Sequence, residues 1–224
     1  TKRYDFQFNI KLSTKISAAA MVLNNKQTLV LKKNHKFSAN QLKVLANHEI
    51  GVHLVTTFNS LNQPLKIFHN GFPKNVETQE GLAVFSEYMS GCLTLYRLKE
   101  LSYRVLATDS LRKGFNFCDT FDLLHNQYKL KREEAYNITL RAHRGGGFTK
   151  DHLYLTGLKK VYNLNQKGVS LDNLLAGKVT LENESIIQNW KQEGLAKENR
   201  YKNFAFDSNE NANSKLDFIL QNLK

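Results

Sequence analysis

Two histidines in one short stretch constrain this chain more than anything else in it. His48-Glu49-Ile50-Gly51-Val52-His53 lies in a segment whose apolar spacing reads as a helix. In the familiar metal-binding pattern H-E-x-x-H, the histidines at i and i+4 share one helical face. Here they stand at i and i+5, and an ideal α-helix would turn their rings about 140° apart. One extra residue taken up as a π-bulge restores a common face, and such bulges occur mostly at functional sites. Gly51 lies between the histidines, where backbone freedom makes the distortion cheap.

A catalytic zinc takes three protein ligands and keeps a fourth position open. The third candidate is Glu80, in Glu77-Thr78-Gln79-Glu80-Gly81-Leu82-Ala83, which opens the next long helical pattern after a polar loop. A helix–loop–helix unit offering His48, His53 and then Glu80 has the layout of the glutamate-ligand zinc peptidases. Gly81 and Ala83 are small enough to let the second helix approach the first closely. Glu49 adjoins the first ligand and is placed as a general base rather than a ligand. Glu87 follows Glu80 by two helical turns, so it either orients a ligand histidine from behind or faces solvent.

HEIGVH followed by TQEGLA resembles the QEGLA-motif family of bacterial proteins and their eukaryotic relatives, the microtubule-associated tyrosine carboxypeptidases. The likeness continues through Asn62-Gln63-Pro64, Arg141-Ala142-His143-Arg144-Gly145 and the stretch Phe148 to Gly157, and covers roughly residues 40–180. The resemblance implies a zincin-like α+β fold, Zn²⁺ as cofactor, and removal of a C-terminal residue, tyrosine or another aromatic, from a peptide or protein tail. Dipeptidyl peptidase III also carries a six-residue HExxxH, which gives the longer spacing a chemical precedent. Two other readings stay open: a zinc endopeptidase or aminopeptidase, and a basic regulatory or nucleic-acid-binding protein without catalysis.

A carboxypeptidase must neutralise a terminal carboxylate, and arginine does this best through paired planar donors. Arg141 and Arg144 share a helix face, and a glycine turn then leads to Lys150, so three cations gather within a short stretch. They fall in the second matched motif and are the expected substrate-binding residues. Tyr154 and His152 are candidate donors to the oxyanion. The glycines at 145–147 lack the spacing of a phosphate loop, and no strand leads into them.

The net charge of +12 implies attraction to something acidic, but the lysines look scattered, so charge alone chooses no partner. An acidic peptide tail fits the resemblance. No basic tract interleaved with aromatics points to nucleic acid, and no apolar run approaches a membrane span. Cys92 and Cys118 both fall in partly apolar helical patterns and read as buried free thiols, in keeping with a reducing cytoplasm. Thr1, in place of an initiator Met, reads as the start of a piece whose upstream region is missing.

The expected architecture is a small N-terminal β portion followed by a mostly helical body. Residues 4–11 alternate as a half-buried strand, and 18–23 with 28–31 read as a hairpin around Asn24-Asn25-Lys26-Gln27, although the alanine run at 18–20 also suits a helix. Ser38 and Gln41 form a capping box that opens a helix running to about Phe58, with Leu42, Leu45 and Ala46 on its buried face. Residues 59–76 read as a long loop. Helices are expected over 78–100, 102–113, 119–129, 132–143, 149–164, 171–176 and 182–194. Residues 1–196 are taken as one catalytic domain and 197–224 as a peripheral tail or helix. Gln192-Glu193-Gly194-Leu195-Ala196 repeats the letters of Gln79 to Ala83, but has no HExxxH before it and reads as coincidence with a helix stop.

Overall fold

A computed structural model describes residues 4–16, 18–145 and 149–223. Gly146, Gly147 and Phe148, part of the matched glycine turn, lie outside the described residues. The chain is α+β and forms two compact units, one from residues 1–93 with 157–224 and the other from 94–156.

The first unit begins with a three-stranded sheet. Strands β1 (Asn9–Ser13), β2 (Ala20–Leu23) and β3 (Thr28–Lys32) are ordered β1-β3-β2. The expected hairpin is present: β2 and β3 pair antiparallel, and Gln27 takes a left-handed conformation at φ 45° to close the turn. β1 pairs parallel to β3, with Asn9 opposite Thr28. It starts later than the alternation suggested. Tyr4 to Phe8 stay outside it because their aromatics pack elsewhere: the Phe6 ring stacks 4.3 Å from that of Phe58 and meets Tyr201 edge-on at 4.9 Å.

Ser38 caps helix α1 (Ala39–Leu45), and Gln41 closes the capping box. A π-helical segment, Ala46–Leu54, and helix α2 (Val55–Leu61) continue the same run. The expected burial of Leu42, Leu45 and Ala46 does not occur. No residue of α1 is buried and Leu42 is 53% exposed, because the enclosed stripe begins only at His48 and Ile50. The region expected as a long loop contains a short helix, α3 (Ile67–Asn70). It is tied down by Lys178, whose N–H donates to the Phe68 carbonyl and whose carbonyl accepts from the Phe72 N–H, at 2.8 and 2.9 Å.

Helix α4 (Asn75–Met89) is the centre of this unit, since every residue from Thr78 to Met89 is buried. The expected continuation to residue 100 is broken at Gly91, whose φ of 67° turns the chain. The second unit then holds α5 (Leu95–Arg112), α6 (Phe117–Asp122) with a π turn at Leu123–Gln127, and α7 (Arg132–His143). Ala107, Leu124, Leu130, Ala135, Ile138 and Ala142 make its core. Helix α8 (Leu153–Gln166) starts a turn later than Thr149 suggested. The first unit closes with α9 (Glu184–Gln192) and α10 (Ser214–Asn222), and Leu216 and Leu220 of α10 are fully buried. Gly194 ends the α9 region at φ 75°. Cys92 is buried as expected, whereas Cys118 is exposed. Its position near the start of the short helix α6 leaves it at the surface of its unit. Among the described residues no helix is long and apolar enough to cross a membrane.

Candidate metal centre

The π segment answers the spacing problem set by HEIGVH. Its backbone bonds run from i to i+5, as in Val55 N–H to the Ile50 carbonyl, so residues five apart stack on successive turns. His48 and His53 therefore face the same way, with ring centroids 5.2 Å apart. Gly51 serves a packing purpose as well as a conformational one. A Cβ there would lie 3.1 Å from the side-chain nitrogen of Asn203, so the absent side chain lets that amide press on the π segment. Asn203 is itself buried and was invisible to motif reading, because it approaches from far along the chain.

Helix α4 packs along the π segment and brings Glu80 to the histidines. Glu80 Oε2 lies 3.9 Å from His48 Nε2 and 3.8 Å from His53 Nε2. One ligand atom from each of the three residues falls within 4.8 Å of the others, and among the described residues this is the group that could hold a metal ion. A tetrahedral ion with bonds of about 2.1 Å separates its ligand atoms by about 3.4 Å, so the two glutamate–histidine separations exceed what an ion requires by only about half an ångström. Two imidazole nitrogens and a carboxylate oxygen are a donor set that suits zinc.

Glu87, two turns along α4, is fully buried, and its Oε1 lies 2.8 Å from His48 Nδ1. That contact occupies the ring nitrogen turned away from Glu80 and leaves Nε2 towards the group. Burial works against the charged form of His48. The hydrogen bond that His48 donates to Glu87 and the nearby charges of Glu49, Glu87 and Glu80 outweigh it and raise the pKa. Three carboxylates around one imidazole make a place that favours added positive charge. Glu49 is half-buried beside it.

The room at Gly81 is taken by a different helix from the one the sequence suggested. A Cβ on Gly81 would stand 2.5 Å from the carbonyl carbon of Gly157 in α8, and one on Gly157 would overlap the Glu77 carbonyl oxygen. The two glycines let α4 and α8 cross backbone to backbone next to Glu80.

Arg141, Arg144, Lys150 and Tyr154 lie in the second unit. Arg141 closes a two-pronged bond with buried Asp151: its Nε donates to Oδ2 at 3.0 Å and its terminal nitrogen to Oδ1 at 2.7 Å. Its planar fork is thus engaged within the protein. Arg144 and Lys150 are exposed, and Lys150 Nζ lies 6.0 Å from the centre of the Tyr154 ring. The guanidinium of Arg104, a residue the motifs did not mark, lies 5.4 Å from the same ring and pairs with Glu100. Only its spacing of four from Glu100 could have signalled it. The second QEGLA sequence, 192–196, contributes nothing to the histidine–glutamate group.

No curated protein matches the chain. The family described as "Microtubule-associated tyrosine carboxypeptidase" matches it over residues 1–224, and the chain belongs to that family.

Proposed function

We propose that the chain is a zinc-dependent carboxypeptidase with a zincin-like catalytic arrangement. His48, His53 and Glu80 hold the ion in the HExxxH and QEGLA motifs, and Glu49 acts as general base. The observation that carries this reading is the convergence of those three donor atoms within 4.8 Å. Family membership supports cleavage at a C-terminus, with tyrosine as the residue removed and a protein tail such as tubulin's as the substrate class. Residues 1–196 form the catalytic domain in this reading, and the cytoplasm is where such tails are met.

When bound, zinc would polarise the scissile carbonyl and lower the pKa of a water to about 7. Glu49 takes the proton from the attacking water and passes it to the leaving amine. Glu87 accepts from His48 Nδ1–H, which fixes the tautomer and keeps Nε2 available as a ligand. Burial of Glu80 and Glu87 holds both carboxylates in single arrangements, so the group is organised before substrate arrives. Arg144 and Lys150 bind the terminal carboxylate, with Tyr154 donating to the oxyanion. Arg141 acts in this arrangement by bracing the segment through Asp151.

A peptide ending in tyrosine, offered as free acid and as C-terminal amide, tests the reaction class. The free acid should be cleaved and the amide should not. Arg144→Ala should raise KM for the free acid and leave metal content unchanged. Equal cleavage of the two peptides would instead indicate an endopeptidase or aminopeptidase.

A further inference from the structure

From Phe6 to His48 the chain has seven lysines and no aspartate or glutamate. This run is the three-stranded sheet and its flanks. Elsewhere cations are commonly paired, as Lys113 is with Asp109, Lys160 with Glu77, Lys191 with Glu198 and Lys202 with Asp207. Of the lysines in the run, among the described residues only Lys43 makes an ion pair, with Glu210, and Lys11, Lys32 and Lys33 make none.

The register places these charges. Lys11 lies opposite Val30 and Ser13 opposite Lys32, so Lys11 and Lys32 project from one face of the sheet. Ile10 and Leu12 project from the other face and are 63% and 60% exposed. β1 is an edge of the sheet, with its outer side unpaired among the described residues. At the opposite edge, β2 packs on the π segment that carries His48 and His53.

We infer that the open edge of β1 is a docking site for an extended acidic polypeptide. Under the proposed function, on which this identification of its source rests, that polypeptide is the stretch of substrate upstream of the residue removed. A strand added to an edge gains main-chain hydrogen bonds along its length and sends alternate side chains to the two faces. It can thus meet Lys11 and Lys32 with carboxylates and Ile10 and Leu12 with apolar groups. A flat anionic membrane cannot meet both at once, because Lys11 and Lys32 and the exposed aliphatics are on opposite faces. Single-stranded nucleic acid needs aromatic platforms for its bases. Phe6 is buried, and Phe8 and Phe37 are half-buried, so the run presents no fully exposed phenylalanine, tyrosine or tryptophan. Edge lysines also guard against unwanted pairing between copies. That role alone predicts aggregation of lysine variants and no peptide binding.

The test is fluorescence anisotropy at low salt, with a labelled, C-terminally amidated peptide alternating glutamate and valine. The full chain carries Glu49→Gln so that nothing is hydrolysed. Binding is expected. It should weaken several-fold in the double variant Lys11→Gln, Lys32→Gln, since each exposed charge contributes modestly. It should be lost when the peptide's glutamates are glutamines, or when alternate peptide nitrogens are methylated so that they cannot pair with an edge. Unchanged binding in any of these three arms would overturn the inference. So would tighter association with phosphatidylserine vesicles or an oligonucleotide than with the peptide. A chain that binds this peptide yet cleaves no free-acid peptide without the Glu49 substitution refutes the catalytic reading and leaves the docking edge standing.

Discussion

Glu49→Gln should retain its metal and lose hydrolysis by on the order of 10³-fold, the contribution of a positioned acid–base group. The substitution keeps the size and hydrogen bonding of the side chain and removes its ability to take a proton. His48, His53 and Glu80 are untouched, and the Glu87 contact at 2.8 Å that orients His48 remains. The loss should therefore fall on kcat, with KM little changed, because no substrate contact is removed. Near wild-type turnover in this variant would remove Glu49 from the mechanism. Glu193→Ala, at the equivalent letter of the second QEGLA sequence, is the control and should change neither rate nor metal content.

The second large effect is expected at the α4–α8 crossing. Gly81→Val places a branched side chain where even a Cβ stands 2.5 Å from the Gly157 backbone. Backbone cannot rotate away as a side chain can, so the helices must separate. Replacing glycine inside a helix normally gains up to about 1 kcal/mol in propensity. Overpacking of this kind costs about 1–3 kcal/mol or more, so the steric term wins. For a chain of this size each kcal/mol lowers Tm by about 2–4 °C. A fall of roughly 5 °C is the expected calorimetric result, with weakened metal affinity because the displaced backbone carries Glu80. An unchanged Tm would show that the crossing is looser than the structure has it.

These two sites differ in how far they could be read from the sequence. HEIGVH announces both its paired histidines and its difficulty, and Gly51 marks where a π distortion can be absorbed. The distortion is a local backbone property, so local sequence carries it. Glu87 was placed on the face of Glu80 by helical spacing alone, but periodicity could not tell burial from exposure there. The partner of Gly81 was not legible, because Gly157 reaches it from another helix far along the chain. The same holds for Asn203 against Gly51. Leu42 shows the opposite case: its apolar spacing predicts burial, although α1 is an exposed lead-in to the enclosed segment. The spacing of Arg141 and Arg144 makes both look available, but Asp151, ten residues on, holds Arg141. The break at Gly91 is masked in the sequence because the apolar pattern continues on both sides of it. A charge count over the whole chain hides how unevenly the charge is distributed. The acid-free run from Phe6 to His48 stands out only once those residues are known to form one sheet with its flanks.

The central claim is that His48, His53 and Glu80 form a metal centre, and elemental analysis of the purified chain tests it most directly. The account predicts about one zinc per chain, lost or greatly weakened in His48→Ala, His53→Ala and Glu80→Ala alike. Each variant should stay folded by circular dichroism, so that loss of the ion reports on the ligand rather than on the fold. Zinc bound by Glu80→Ala as tightly as by the unaltered chain, or no metal in the unaltered chain after purification with zinc supplied, would contradict it.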